Sequence, residues 1–258
     1  MVESHIADQQ ELLHDNLSEV IKLIILTAKP IQNFKEDAAR KIELVEDVNG
    51  FRFVRRTYGR PSLKYISYSG YDFEHAWDLM HKNFQEVGIH IVPSFYIETA
   101  GSDLGEVTVV SEYLPDARPV IDASTDIKCE LAASLGNLVY QSEVLPSFEM
   151  LMPDMFHLTH KLDGAEVLML TDIDPYLRPA EQKNPDVKAG MDAAYIQRIC
   201  YLFWDSWCKE VEREEVIRQF VEALAKSSNF AVMQDEITSK AFAYAHAMTQ
   251  GVDMRSVS

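Results

Sequence analysis

The sequence predicts an α+β protein in which a small antiparallel-sheet half precedes a mainly helical half. Three observations carry this expectation. Between residues 41 and 114, short runs rich in β-branched and aromatic residues are separated by turn signals. One segment of that half, residues 73–88, instead has apolar residues at helical spacing. After Pro115 helical periodicity dominates, broken by a single strand-like run, GAEVLMLTDID.

Taken in order, residues 1–40 read as a helical extension. LSEVIKLIILTAK is apolar around most of a helix circumference and ends near Pro30. KIELVED, FRFVRR and LKYISYS read as the first three strands. Asn49-Gly50 is a hairpin signal between the first two, and Gly59 with Pro61 marks the next turn. FEHAWDLMHKNFQEVG reads as a helix with Phe73, Ala76, Trp77, Met80, Phe84 and Val87 at helical spacing and Gly88 as terminator. VPSFYIE and EVTVVSEYL complete five strands, joined by the loop TAGSDLG.

In the second half, STDIKCELAASLGNLVYQSEVL opens with capping residues Ser124 to Asp126 and sets Leu131, Leu135, Leu138 and Val139 on one face. PAEQKNPDVKAG (179–190) reads as a polar loop. DAAYIQRICYLFWDSWCKEV and REEVIRQFVEALAKS read as helices. Tyr201, Phe203, Trp204 and Trp207 read as core packing, and EVEREEV (210–216) as a solvated helix face. The expected organisation is therefore a helical extension (1–40), a sheet half (41–114) and a helical half (115–258).

Composition narrows the function classes. A chain of 258 residues is long enough for one large domain or two lobes, and 47% hydrophobic content excludes wholesale disorder. A formal charge of -17 argues against nucleic acid or an anionic membrane as the main partner. The only dense basic run is RFVRRTYGR. The three widely spaced cysteines fit reduced, buried thiols, so a cytoplasmic location is expected. MVESHIADQQ does not read as a secretory signal, and IKLIILTA is too short to span a bilayer.

The stretch VLMLTDIDPYL carries the most suggestive chemistry: an apolar run delivers Asp172 and Asp174 before a proline. Such a pair suits a metal, a phosphate held by that metal or a phosphoryl acceptor. It equally suits an acidic turn closing a hairpin, because Asp-Pro starts turns by itself. His157 and His160 form an H-x-x-H pair that on a helix would face one ion.

Five short strands with a helix after the third, then a helical half carrying a small hairpin, resemble the protein-kinase-like fold. The likeness is greatest to the aminoglycoside and choline phosphotransferase branch and extends over residues 41–178 by motif order. It implies a two-lobed molecule with a small antiparallel-sheet N-lobe and a mainly helical C-lobe. Lys64, in SLKYISYS, stands where the third strand of that fold carries the lysine that grips nucleotide phosphates. Glu74 stands where the next helix supplies that lysine's carboxylate partner. Glu112, Tyr113 and Leu114 match the inter-lobe segment whose backbone meets adenine.

Asp172 matches the metal-binding aspartate, with Asp174 completing the D-x-D form of the small-molecule branch. Looking back 18 positions, Asp154 matches the catalytic aspartate that accepts the substrate hydroxyl's proton. The chain departs from the family at Met152, where histidine is usual, and at Thr159, which replaces the metal-binding asparagine. It also has no glycine-rich loop between its first two expected strands. Each residue keeps a plainer reading: Lys64 as a surface strand lysine, Glu74 as a first-turn acid, Asp154 as a helix cap.

The resemblance implies ATP and Mg2+ as cofactors and a small hydroxyl-bearing acceptor, for which a cationic compound suits the acidic chain. The departures leave open a catalytically inactive kinase-like scaffold. A third class also ends an apolar strand in D-x-D, the haloacid-dehalogenase-like phosphatases, but there the motif opens the domain. Residues 1–40 read either as packing for the small lobe or as the seat of a homodimer.

Overall fold

The computed structural model describes residues 25, 27–37, 40–67, 71–98, 107–141, 151–161, 163–172, 174–175, 185–227 and 243. Most of the expected N-terminal helix, the TAGSDLG loop and residues 179–184 of the polar loop lie outside the described residues. In chain order the elements are β1 (Lys29–Glu36), β2 (Arg40–Glu46), β3 (Arg52–Tyr58), α1 (Arg60–Ser67), α2 (Phe73–Glu86), β4 (His90–Ile91), β5 (Ser94–Glu98) and β6 (Val107–Glu112). There follow β7 (Arg118–Pro119), α3 (Thr125–Gln141), β8 (Phe156–His160), β9 (Glu166–Leu170), α4 (Pro185–Leu202) and α5 (Arg213–Ser227). A π-helical turn spans Phe203–Trp207 and a 3-10 turn spans Glu210–Glu212.

The fold is α+β and divides into two compact units: Met1–Tyr65 with Val92–Pro115, and Ile66–Ile91 with Asp116–Ser258. The first holds a five-stranded sheet of order β1-β2-β3-β6-β5 in which every pairing is antiparallel. β6 lies between β3 and β5, and VTVVS is buried throughout rather than alternating. The β2–β3 turn forms as its Asn-Gly pair predicts. Gly50 takes φ +83°, and the Asp47 carboxylate accepts the N–H groups of Asn49 and Phe51 at 2.8 and 2.9 Å. On one face of the sheet Ile25, Ile97 and Val110 pack with Phe53 and Phe95. Arg55 ties residues 25–28 to that face by donating to the Ile25 and Ala28 carbonyls and to Glu43.

Two elements correct the sequence reading here. Residues 29–36 are a strand, not the tail of a helix. Pro30 forbids helix continuation, and pairing with β2 supplies the ladder that local sequence does not announce. Residues 60–67 are helical, not the third strand. Pro61 suits a helical first turn because it needs no N–H there, Leu63 N donates to the Gly59 carbonyl, and among the side chains described Ser62 and Ile66 are buried, four apart.

The second unit packs a four-stranded sheet of order β4-β9-β8-β7 with helices. β4 joins β9 in parallel, and β8 and β9 form an antiparallel hairpin. α2, grouped with the strands by sequence, falls within this unit. Asp72 caps it by accepting the His75 N–H at 2.8 Å. α3 and α5 pack so closely that a Cβ at Gly136 would sit 2.5 Å from the Phe220 carbonyl oxygen.

Residues 185–190, expected as loop, open α4. EVEREEV is not uniformly solvated: Glu212 and Val216 are buried. His157 and His160 lie on strand β8, where residues three apart point to opposite faces, so the H-x-x-H pair does not converge. All three cysteines are free, with Cys200 and Cys208 buried. Among the described residues no helix is long and apolar enough to cross a membrane.

Candidate functional site

The sequence-selected residues divide between the units. Lys64, Glu112 and Leu114 belong to the first; Glu74, Asp154, Thr159, Asp172 and Asp174 belong to the second.

In the first unit, Lys64 is exposed on α1 and so does not occupy the strand position that motivated its choice. The strand third in the chain is β3, and its cations are Arg52, Arg55 and Arg56. Arg52 pairs with Glu46 in solvent, and Arg55 is spent on Glu43 and on the backbone of residues 25 and 28. Arg56 faces the other side of the sheet. It is buried, and its Nη1 donates to Ser111 Oγ at 2.7 Å. Ser111 immediately precedes Glu112, whose N–H donates to the Pro93 carbonyl at 2.9 Å as the last rung of β6. Tyr113 and Leu114, both partly buried, follow beyond that rung. Sequence reasoning passed over Arg56 because RFVRR reads as one undifferentiated basic run. The alternation of faces along β3 separates its arginines.

In the second unit, Asp154 and Asp172 flank the β8–β9 hairpin at its base. The N–H groups of Thr171 and Asp172 both donate to the Met155 carbonyl, at 2.9 and 3.4 Å, which places the residue after Asp154 beside the residues that end β9. His157, on β8, lies within electrostatic reach of both acids. Its Nδ1 lies 2.8 Å from Thr171 Oγ1, and Thr171 Oγ1 donates to the Met155 carbonyl at 3.3 Å. With the hydroxyl proton so directed, the threonine oxygen accepts from Nδ1–H and Nε2 carries the imidazole lone pair. Burial pushes the His157 pKa below its usual range, against the opposing pull of Asp154 and Asp172.

The loop carrying Asp154 is held from outside the hairpin. Arg198 Nε donates to the Leu151 carbonyl at 2.9 Å, and Trp207 Nε1 donates to the Pro153 carbonyl at 2.8 Å. The Trp207 ring also meets Phe156 and Phe203 edge-on. Trp207 and Phe203 are thus core residues, as their spacing suggests, and Trp207 has a second task that periodicity could not show. The π turn at Phe203–Trp207 places that indole.

The remaining candidates separate. Asp154 is exposed in its turn, and Asp172 is partly buried just beyond β9. Asp174 is 3% exposed. Thr159 is buried mid-strand on β8, opposite Val167, rather than in a loop after Asp154. Glu74 is exposed in the first turn of α2. Among the described residues no three histidine, cysteine or acidic side chains form a metal-holding group. Magnesium on a nucleotide asks for less, since one or two carboxylates suffice when phosphates and water complete the shell. The hard oxygens of Asp172 and Asp174 fit that donor set.

No family model matches the chain, and no curated protein matches it. Solved structures with a similar outline include the amicoumacin kinase hAmiN in complex with AMP-PNP, Ca2+ and Ami, which is 10% identical, with 95% of this chain and 90% of that chain covered and a TM-score of 0.45. The maize sucrose-induced receptor kinase 1 domain bound to AMP-PNP is 8% identical over 90% of this chain and 98% of that chain, with a TM-score of 0.48. The pseudokinase domain of BIR2, an immune regulator of the RLK/Pelle family, is 9% identical over 87% of this chain and 82% of that chain, with a TM-score of 0.43. The neighbours thus include kinases crystallised with a nucleotide analogue and a pseudokinase domain.

Proposed function

We propose that the chain is an ATP- and magnesium-dependent phosphotransferase acting on a small hydroxyl-bearing acceptor. The observation that carries this reading is the pair of bonds from the Thr171 and Asp172 N–H groups to the Met155 carbonyl, which brings the end of β9 beside the turn that holds Asp154, 18 residues earlier. Asp172, with Asp174, would hold the magnesium, which when bound neutralises charge on the nucleotide phosphates. Asp154, exposed in a loop braced by Arg198 and Trp207, would orient the acceptor hydroxyl and take its proton. In the sheet unit, Arg56 Nη1 donates to Ser111 Oγ, next to the segment 112–114. That segment would meet adenine through its backbone. A cationic acceptor suits the acidic surface.

A second reading, a kinase-like scaffold without turnover, is favoured by one observation: Thr159 lies inside the β8 ladder and replaces an amide ligand with a buried hydroxyl. One experiment separates the two. Magnesium-ATP is added in a melting experiment, and labelled γ-phosphate transfer is followed over a panel of amino alcohols. The phosphotransferase reading expects a magnesium-dependent rise in melting temperature and transfer to an acceptor. Asp154→Asn should keep the rise and cut turnover about 10²–10⁴-fold. A rise without transfer to any acceptor, or no rise, supports the scaffold.

A further inference from the structure

Asp172 lies just past the last rung of the β8–β9 ladder, where Phe156 faces Leu170. Regular antiparallel pairing would next set Met155 against Thr171 alone. Instead the N–H groups of Thr171 and Asp172 both donate to the Met155 carbonyl, at 2.9 and 3.4 Å. Two residues of one strand against one of its partner is the pattern of a β-bulge, which re-aims a side chain or ends a pairing. Unbroken alternation along β9 would put Asp172 on the face of Leu168 and Leu170, which are both buried. The bulge breaks that alternation at the acid itself.

Thr171 holds the bulge closed with its side chain. Its hydroxyl donates to the same Met155 carbonyl at 3.3 Å and accepts from His157 Nδ1–H at 2.8 Å. His157 faces Met169 across the ladder, so Thr171 is its diagonal neighbour. A valine of the same shape makes neither bond. Met155 carries the restraint further. It is fully buried, and its N–H donates to the Met152 carbonyl at 3.2 Å, closing the turn that holds Asp154. One buried residue is thus tied by its N–H to the turn of the first acid and by its carbonyl to the segment of the second.

We propose that Thr171 is a positioning residue for Asp172: its hydroxyl, between His157 and the Met155 carbonyl, keeps the bulge closed and so holds Asp172 in place to meet a magnesium ion on nucleotide phosphates. The identity of the ion rests on the phosphotransferase reading; the clasp itself does not. The Asp172 N–H bond is the longest of the three on that carbonyl, so it depends most on the clasp.

Two measurements on the full chain, its Thr171→Val variant and its Thr171→Ser variant test this. In ligand-free protein, amide hydrogen exchange followed by NMR should run about tenfold faster at Asp172 in Thr171→Val, with β8 and β9 otherwise unchanged and Thr171→Ser close to wild type. In calorimetric titrations with ATP, Thr171→Val should need about tenfold more magnesium for half-saturation, and Thr171→Ser should keep the wild-type requirement. His157→Leu removes the donor and leaves the threonine, so it should move both readouts the same way, and it serves if Thr171→Val does not fold. Exchange at Asp172 that stays unchanged, or that quickens equally along both strands, overturns the proposal. So does a magnesium requirement that Thr171→Val leaves as it was, or that Thr171→Ser raises as far as valine does. A wild-type chain that binds no ATP with magnesium refutes the phosphotransferase reading itself, and with it the task of Asp172 toward the ion.

Discussion

Lys128 shows how much a single residue decides in this fold. It is completely buried on α3, yet its ammonium donates to Glu212 Oε2 at 2.7 Å and to the Ile121 carbonyl at 3.0 Å. Burial alone would raise the Glu212 pKa, but the Lys128 ammonium and the Lys209 N–H outweigh it and hold the carboxyl below its usual range. Removing one partner of such a pair strands the other charge, so Lys128→Met should cost about 3–5 kcal/mol in urea unfolding, while Lys128→Met with Glu212→Leu should recover most of it. Because the folded pKa of Glu212 is depressed, the pair's contribution is present above the unfolded carboxylate pKa of about 4.3 and is lost as pH falls through the folded value. A Glu212→Gln protein should lack that part of the acid dependence. Burial also pushes the Cys200 and Cys208 thiols up to about 12, so native protein should resist iodoacetamide at both until it is unfolded, as peptide mass spectrometry would show. The ion pair was not legible in sequence: its partners are 84 residues apart, and EVEREEV reads as solvent-facing until tertiary packing buries one of its acids.

At the scale of elements, spacing was a better guide than composition. The helix at 73–86, the hairpin at Asn49-Gly50 and strands β5, β6 and β9 follow from periodicity and turn chemistry alone. β1 and α1 did not, and for opposite reasons. β1 is a strand by virtue of its neighbour, whereas RPSLKYIS has the outward look of an alternating strand but buries residues four apart. The two misreadings cancel in the strand count and shift the third strand by one place. That shift put Lys64 where Arg56 stands. Asp154 and Asp172 flank the β8–β9 hairpin, so the shift does not move their places in the element order. Gly136 tests the packing of α3 on α5. Helix propensity alone would make Gly136→Ala favourable by about 1 kcal/mol. The added Cβ would meet the Phe220 carbonyl oxygen at 2.5 Å and the Ala223 Cβ at 2.8 Å, so the substitution should instead destabilise by about 1–3 kcal/mol, read as a lower urea midpoint.

At the scale of the whole molecule, one unit is an antiparallel sheet with a buried arginine, and the other is mainly helical with a braced hairpin flanked by Asp154 and Asp172. Sequence grouped the helix at 73–86 with the strands, whereas it falls in the helical unit, and it could not separate the arginines of β3, because that requires knowing which face each occupies. The acidic surface sets an expectation at this scale too: binding of a cationic acceptor should weaken as ionic strength rises. The most direct test of the central claim is calorimetric titration of the full chain with ATP, with and without magnesium, beside Asp172→Asn and Lys64→Ala. We expect binding that requires magnesium, weakens at least about tenfold in Asp172→Asn and is unchanged in Lys64→Ala. Absence of binding, or binding that Asp172→Asn leaves intact, would contradict it.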